Sequence, residues 1–197
     1  MATQPTMDDD DAGVRAEALA DENALLRASL AEMRERVQEL EQLADTDTLT
    51  PLPNRRRFLR ELERAVSQSA RHGTPAAVLY IDLNGLKRVN DRHGHVAGDA
   101  ALIHVARLLQ GLIRTSDVVA RIGGDEFGLI LDHLDHNSAI ETAERISRCI
   151  ASSPLDIGGS EVALQAAIGV ATILPGDEAA DVMRRADLNM YRAKAEA

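Results

Sequence analysis

The segment Arg121-Ile122-Gly123-Gly124-Asp125-Glu126-Phe127 constrains this chain more than any other. Val118-Val119-Ala120-Arg121-Ile122 runs into the glycine pair and Phe127-Gly128-Leu129-Ile130-Leu131 leads away from it, so two apolar runs are joined by residues that turn a strand back on itself. A β-hairpin is the expected result. Gly123 and Gly124 carry no side chain and reach φ > 0 freely, which lets a ligand approach the backbone at the tip. Asp125 and Glu126 set carboxylates beside that turn, and a phosphate and metal site is the chemistry such a tip suits. An ordinary hairpin with solvated acids is the alternative that this segment leaves open.

A further acid lies in a second apolar run. Ala77-Val78-Leu79-Tyr80-Ile81-Asp82-Leu83-Asn84 is almost wholly apolar until Asp82, and a carboxylate at the end of a buried strand needs a partner or a cation. If this strand lies beside the glycine hairpin, Asp82 and Asp125 converge as two acid ligands suited to Mg²⁺ bridging phosphate oxygens. A helix N-cap is the other use for an Asp placed there. Residues 84–99 are dense in polar side chains and glycine. Backbone N–H groups opening a turn at Gly85, Leu86 and Lys87 can cradle a terminal phosphate. Asn90 and Asp99 can complement a purine, the Asp accepting from a ring N–H and an exocyclic NH₂, which describes guanine and not adenine. His93 and His95 have no acid or Cys at zinc-ligand spacing, and His95 is read as shaping the loop.

At 197 residues the chain can hold one domain with a full core plus an appendage. The net charge of -10, with no long basic block, argues against a general binder of nucleic acid or anionic membranes. Cys149 is the only cysteine, which excludes an intrachain disulfide and a cysteine-rich zinc site, and its apolar helical setting reads as core. No apolar run approaches the roughly 18 residues of a membrane-spanning helix. The acidic N-terminus lacks the order of a signal peptide, so no membrane insertion and a cytoplasmic location are expected.

Three segments follow along the chain. Residues 1–12, with Asp8-Asp9-Asp10-Asp11, are expected to be disordered. Residues 13–45 are expected to form a coiled-coil dimerisation helix, because Val14 to Ala44 contains no Gly or Pro and is rich in strong helix formers. Leu19, Leu26, Met33 and Leu40 fall at d of a heptad, and Ala16, Asn23, Leu30, Val37 and Ala44 at a. The polar a position, Asn23, selects a parallel two-stranded coil; an amphipathic helix packed on its own domain is the other reading. Residues 46–197 read as helix (54–72), strand (77–83), helix (95–114), hairpin (118–132), helix (138–151), a second hairpin (155–172) and a last helix (178–195). Such mixing without strict alternation predicts an α+β sandwich, a ferredoxin-like arrangement of helices on an antiparallel-rich sheet.

The globular part resembles the GGDEF domain, the diguanylate cyclase family. The likeness runs from Asp47-Thr48-Leu49-Thr50-Pro51-Leu52-Pro53-Asn54 through Asp82–Lys87 and Asn90–Asp99 to Gly123–Phe127 and Ala186–Lys194. It implies the family's ferredoxin-like fold, related to nucleotidyl-cyclase and polymerase palm domains. It also implies condensation of two GTP into cyclic di-GMP with release of two pyrophosphates, by a homodimer using Mg²⁺ or Mn²⁺. By resemblance, Asp82, the carbonyl of Leu83 and Asp125 match metal ligands, and Asp125 and Glu126 are the catalytic acids. Asn90 and Asp99 match guanine contacts; Gly123 and Gly124 match the turn against GTP. The amides of Gly85 and Leu86, with Lys87 and Lys194, match triphosphate contacts. Arg114-Thr115-Ser116-Asp117 matches the family's RxxD inhibitory site for product, with Arg145 as a secondary arginine. An i,i+3 surface pair is the other reading of Arg114 and Asp117.

Three departures stand out. Pro51 replaces a usual Gly, Asn84 replaces the second acid of the common Asp-x-Asp strand end, and the chain ends at Ala197, before the Gly-Arg-Asn segment that usually supplies another phosphate-binding arginine. A catalytically silent domain acting as a cyclic di-GMP receptor or dimerisation adaptor is the alternative function, and the intact acids favour the enzyme.

Overall fold

The structure is a computed structural model that describes residues 7–195. The chain divides into two compact units, 1–44 and 45–197. Nearly all of the first unit belongs to α1 (Met7–Asp45), in which the side chains of 15, 19–34, 36, 37 and 45 are described. Leu19, Leu26, Leu30, Met33 and Val37 are all exposed, and the Asn23 amide donates to the Leu19 carbonyl one turn back at 3.2 Å. The other heptad positions, Ala16, Leu40 and Ala44, lie outside the described side chains. The helix starts at Met7, ahead of the expected boundary, so the second half of the acidic segment is helical. Residues 1–6 lie outside the described residues.

The second unit carries α2 (Arg55–His72), β1 (Ala76–Asn84), α3 (Leu86–His93), α4 (His95–Leu112), β2 (Val118–Arg121), β3 (Glu126–Asp132), α5 (His136–Ala151), β4 (Leu155–Ile157), β5 (Ser160–Val162), β6 (Gln165–Thr172) and α6 (Ala179–Ala195). Four strands form one antiparallel sheet in the order β2-β3-β1-β6. The sequence expectation of an α+β, ferredoxin-like sandwich is met: β1 and β2 are joined through helices, β3 returns between them, and β6 adds at the far edge after α5.

Side chains alternate across the sheet. Leu79, Ile81, Leu83, Phe127, Leu129 and Leu131 face α4 and α5, whereas Val78, Tyr80 and Ile130 face Phe58 and Leu62 of α2 and Val182, Ala186 and Met190 of α6. Because both faces are covered, β1 reads as a continuous apolar run with no polar alternation. Each fully buried Leu or Ile contributes about 1.5–3 kcal/mol. Two glycines permit close layers. A Cβ on Gly128 would stand 2.7 Å from the Phe58 ring, and one on Gly169 would stand 2.1 Å from the Ala186 carbonyl oxygen and the Met190 nitrogen, so α6 lies directly on β6. That seat fixes where the end of α6 can reach.

Three local expectations are corrected. Residues 86–93 form α3 where a polar turn was read, because Gly85 takes φ 77° and opens a helix whose Val89 alone is buried. The segment 155–172 is not one hairpin: β4 and β5 pair in a small sheet of their own, and β6 joins β1. Cys149 is only half-buried, since α5 turns its Ala139, Ala143, Ile146 and Ile150 stripe inward and leaves Cys149 beside it.

Candidate active site

The glycine hairpin closes against the end of β1. Asp82 is the register partner of Glu126, so both side chains emerge on the face covered by α6 and α2. The Leu83 N–H donates to the Asp125 carbonyl at 2.9 Å. In an antiparallel strand a residue's N–H and C=O project to the same side, so the Leu83 carbonyl also faces the hairpin. Asp82, Leu83, Asp125 and Glu126 are thus brought to one place, as the sequence reading requires.

The tip departs from the expected turn in one respect: neither Gly123 nor Gly124 has positive φ. Their smallness matters for space instead. A Cβ on Gly123 would meet the Glu126 carboxylate at 2.0 Å, so the missing side chain lets Glu126 fold beneath the tip; Gly124 has nothing within 4 Å and leaves the backbone open. Buried Tyr80 lies on the same face. Burial, then its hydrogen bond to Glu126, push the Tyr80 phenol above its ordinary value, so it stays neutral and donates to the carboxylate.

Arg121, which carried no assigned role in the sequence, holds this tip. Its Nε and Nη2 donate to the Gly124 carbonyl at 3.2 and 2.8 Å, and its Nη1 donates to Asp47 Oδ1 at 3.1 Å. Asp47 also accepts from the Thr50 amide and hydroxyl, both at 2.8 Å. Burial raises the Asp47 pKa, but the Thr50 bonds and the Arg121 guanidinium outweigh it and keep the carboxyl below its usual range. The signal that could have exposed Arg121 is a charge inside an otherwise apolar strand.

Lys194 at the end of α6 donates to Asp82 Oδ1 at 2.7 Å. That bond first, then the charges of Asp82, Asp125 and Glu126, raise the Lys194 pKa against the opposing effect of burial. The ammonium is the internal counter-charge of the acid cluster. Asp82 itself is 9% exposed. Two carboxylates and a backbone carbonyl are hard oxygen donors, a set that fits Mg²⁺ or Mn²⁺.

Beside the acids, Gly85 caps α3, and first-turn N–H groups of a helix lack intrahelical partners and face anions. Lys87 is exposed next to them. Asn90 Oδ1 is buried without a hydrogen-bond partner, and a Cβ on Gly98 would stand 1.9 Å from it. Exposed Asp99 follows Gly98 directly in the first turns of α4, one residue along from the point where α4 meets Asn90.

A separate cleft of about 480 Å³ holds Arg114 and Asp117 with Arg57, Glu61 and Gln110. Both Asp117 oxygens are already engaged by backbone, Oδ2 accepting from Arg114 N at 2.9 Å and Oδ1 from Asp132 N at 3.2 Å. Arg145 does not line this cleft; it lies on α5 with Glu141, Thr142, Glu144 and Arg148.

Residues 44–197 match the family profile "Diguanylate cyclase, GGDEF domain". The chain belongs to this family. Among similar proteins, the bifunctional diguanylate cyclase/cyclic di-GMP phosphodiesterase MucR of Pseudomonas aeruginosa is 42% identical over 173 residues, covering 87% of this chain and 24% of MucR. The diguanylate cyclase TpbB of the same species is 38% identical over 184 residues, covering 91% of this chain and 41% of TpbB. This chain therefore spans less than half the length of these curated relatives. The coiled coil and GGDEF domain of DgcB from Caulobacter crescentus, solved in complex with c-di-GMP, superposes with a TM-score of 0.79 at 29% identity, covering 91% of this chain and 96% of that one. Among the described residues, no helix is long and apolar enough to cross a membrane.

Proposed function

We propose that this GGDEF-family chain is a diguanylate cyclase that condenses two GTP into cyclic di-GMP and two pyrophosphates. The observation that carries the reading is the convergence of Asp82, Asp125 and Glu126 beside an open glycine tip, and the orphaned Asn90 Oδ1 against Gly98, next to Asp99, supports a guanine contact there. A divalent ion held by Asp82, Asp125 and the Leu83 carbonyl would neutralise charge on the transferring phosphate. Asn90 and Asp99 select the base, and the amides at Gly85 and Leu86 with Lys87 orient the outer phosphates. Lys194, which now donates to Asp82, would be free to reach the triphosphate once a cation neutralised the acids. The 3′-oxygen of one GTP then bonds to the α-phosphorus of the other as the bond to the β-phosphate oxygen breaks and pyrophosphate departs. Asp125 or Glu126 accepts the hydroxyl proton, and a second transfer closes the ring.

Each domain presents one such half-site, so the reaction needs two chains face to face. The exposed stripe Leu19, Leu26, Leu30, Met33 and Val37 supports pairing through a parallel coiled coil, which replaces encounter by a high effective concentration. Product feedback through Arg114 belongs to the same reading, with Asp117 serving to shape the turn that presents Arg114. The cytoplasm supplies the GTP. Asp125→Ala and Glu126→Ala should each abolish cyclic di-GMP formation from GTP in a folded protein. Turnover at the unmodified rate in either variant would refute the roles of these acids, and no cyclic di-GMP from the parent chain would leave the receptor or adaptor reading in its place.

A further inference from the structure

A cleft of about 370 Å³ opens between α3 and the small β4–β5 hairpin. Its volume lies at the lower end of ligand pockets, roughly 300–1,000 Å³. Arg88 and Arg92 stand one helical turn apart on α3 and both line it. Among the described residues neither guanidinium has an ion pair or hydrogen bond, although Glu161 of β5 lines the opposite wall. Arg88 reaches back over Gly85, where a Cβ would stand 2.9 Å from its Nη2. Asn84 Oδ1 is buried against the cleft without a hydrogen-bond partner. Val89, itself buried, and Val162 supply apolar surface between these polar groups.

The chemistry of this lining is divided. Two guanidinia one turn apart suit a phosphate, which accepts from both. The carboxylate of Glu161 and the orphaned Asn84 oxygen are acceptors and require donors from whatever lies between them. A simple anion would satisfy the arginines and leave both acceptors unpaired or opposed. Guanine answers both demands, because its N1–H and N2–H₂ edge offers adjacent donors, whereas the corresponding edge of adenine pairs a donor with an acceptor that a carboxylate repels. The apolar residues receive the face of the base.

We infer that the cleft between α3 and β5 binds a guanine mononucleotide, its phosphate on Arg88 and Arg92 and its N–H edge on Glu161 and Asn84, as a site distinct from the Asn90 and Asp99 pocket. Asn84 and Gly85 border both this cleft and the phosphate-facing turn, so its occupant touches the strand end that carries Asp82. The site does not depend on the chain being a cyclase.

Calorimetric titration of the full chain with GMP, AMP and inorganic phosphate, without divalent metal, tests it. Asp99→Ala weakens the base contact of the catalytic pocket, and GMP binding should persist in that background. There, Arg92→Glu and Glu161→Gln should each weaken GMP at least about tenfold, since each removes a charged hydrogen-bonding partner, and AMP should bind at least about tenfold more weakly than GMP. Both residues are exposed, so the melting temperature of the variants should match that of the parent. Loss of all GMP binding in Asp99→Ala would overturn the inference while supporting the catalytic guanine pocket. Equal binding of AMP, or of phosphate alone, would overturn it too.

Discussion

Replacing Arg121 by Ala isolates how the tip of the hairpin is held. The side chain is 14% exposed and its partner Asp47 is 16% exposed, so the interaction is only weakly screened. Two hydrogen bonds to the Gly124 carbonyl and two to the Asp47 carboxylate disappear. A hydrogen bond to a charged group contributes about 1.5–3 kcal/mol, and Asp47 keeps its Thr50 bonds, so the loss should be about 2–4 kcal/mol and not the sum of four such bonds. For a domain of this size that lowers the melting temperature by about 5–15 °C. Activity should fall further than stability explains, by about 100-fold at a temperature where the variant is folded, because a misplacement on the order of 1 Å at a reacting group has that effect. Arg121→Lys discriminates the two contributions. It keeps a positive charge near Asp47 but cannot fork onto the Gly124 carbonyl, so most of the stability should return and little of the activity. Thermal melts paired with initial rates of cyclic di-GMP formation read both. An Arg121→Ala protein with an unchanged melting temperature and a rate within about twofold of the parent would refute the assignment of Arg121 as the clamp of the tip.

Other perturbations follow from the same contacts. Gly98→Ala should raise KM for GTP by about tenfold or more with a smaller change in kcat, because the new Cβ would displace the Asn90 amide; steady-state kinetics would show it. Asp45, held low by hydrogen bonds from Arg60 and Arg56, and Asp177, held low by Arg185, have folded pKa values below the ordinary 3.8, as does Asp47. Their stabilisation is complete above that value and is lost as pH falls through the lower folded values, so melts between about pH 5 and pH 2 should show stability declining with acid, less steeply in Asp177→Asn. Removing residues 1–44 should lower specific activity and make it rise steeply with protein concentration; a truncated protein as active as the full chain when dilute would reduce the helix to a passive appendage.

Much of this was legible in the sequence, for identifiable reasons. The apolar run of β1 ended by Asp82, and the two runs flanking Gly123 and Gly124, have a period and punctuation that hardly allow another structure, and their pairing brings the acids together. Asn90 and Asp99 could be paired from chemistry alone. What escaped depends on contacts between distant segments. Arg121 reaches Asp47 across 74 positions, and Lys194 reaches Asp82 across 112, distances at which spacing carries no signal. α3 is hard to read from sequence because a short polar stretch between Gly85 and Gly94 resembles a turn until Gly85 adopts a left-handed conformation and Val89 finds the core. Of the two uses the sequence offers for the glycines of the tip, positive φ and a missing side chain, the structure uses the second, and at Gly123 it makes room for Glu126. Arg145 on α5 lines a different cleft from Arg114.

The most direct measurement incubates the purified chain with GTP and Mg²⁺, and in parallel with ATP, and resolves the nucleotides by chromatography with mass detection. The acids at the hairpin and the guanine pair at Asn90 and Asp99 predict cyclic di-GMP and pyrophosphate in a ratio of one to two from GTP, none from ATP, and none from GTP with Asp125→Ala. Unchanged GTP after prolonged incubation of a folded, dimeric protein, or equal conversion of ATP, would contradict the account.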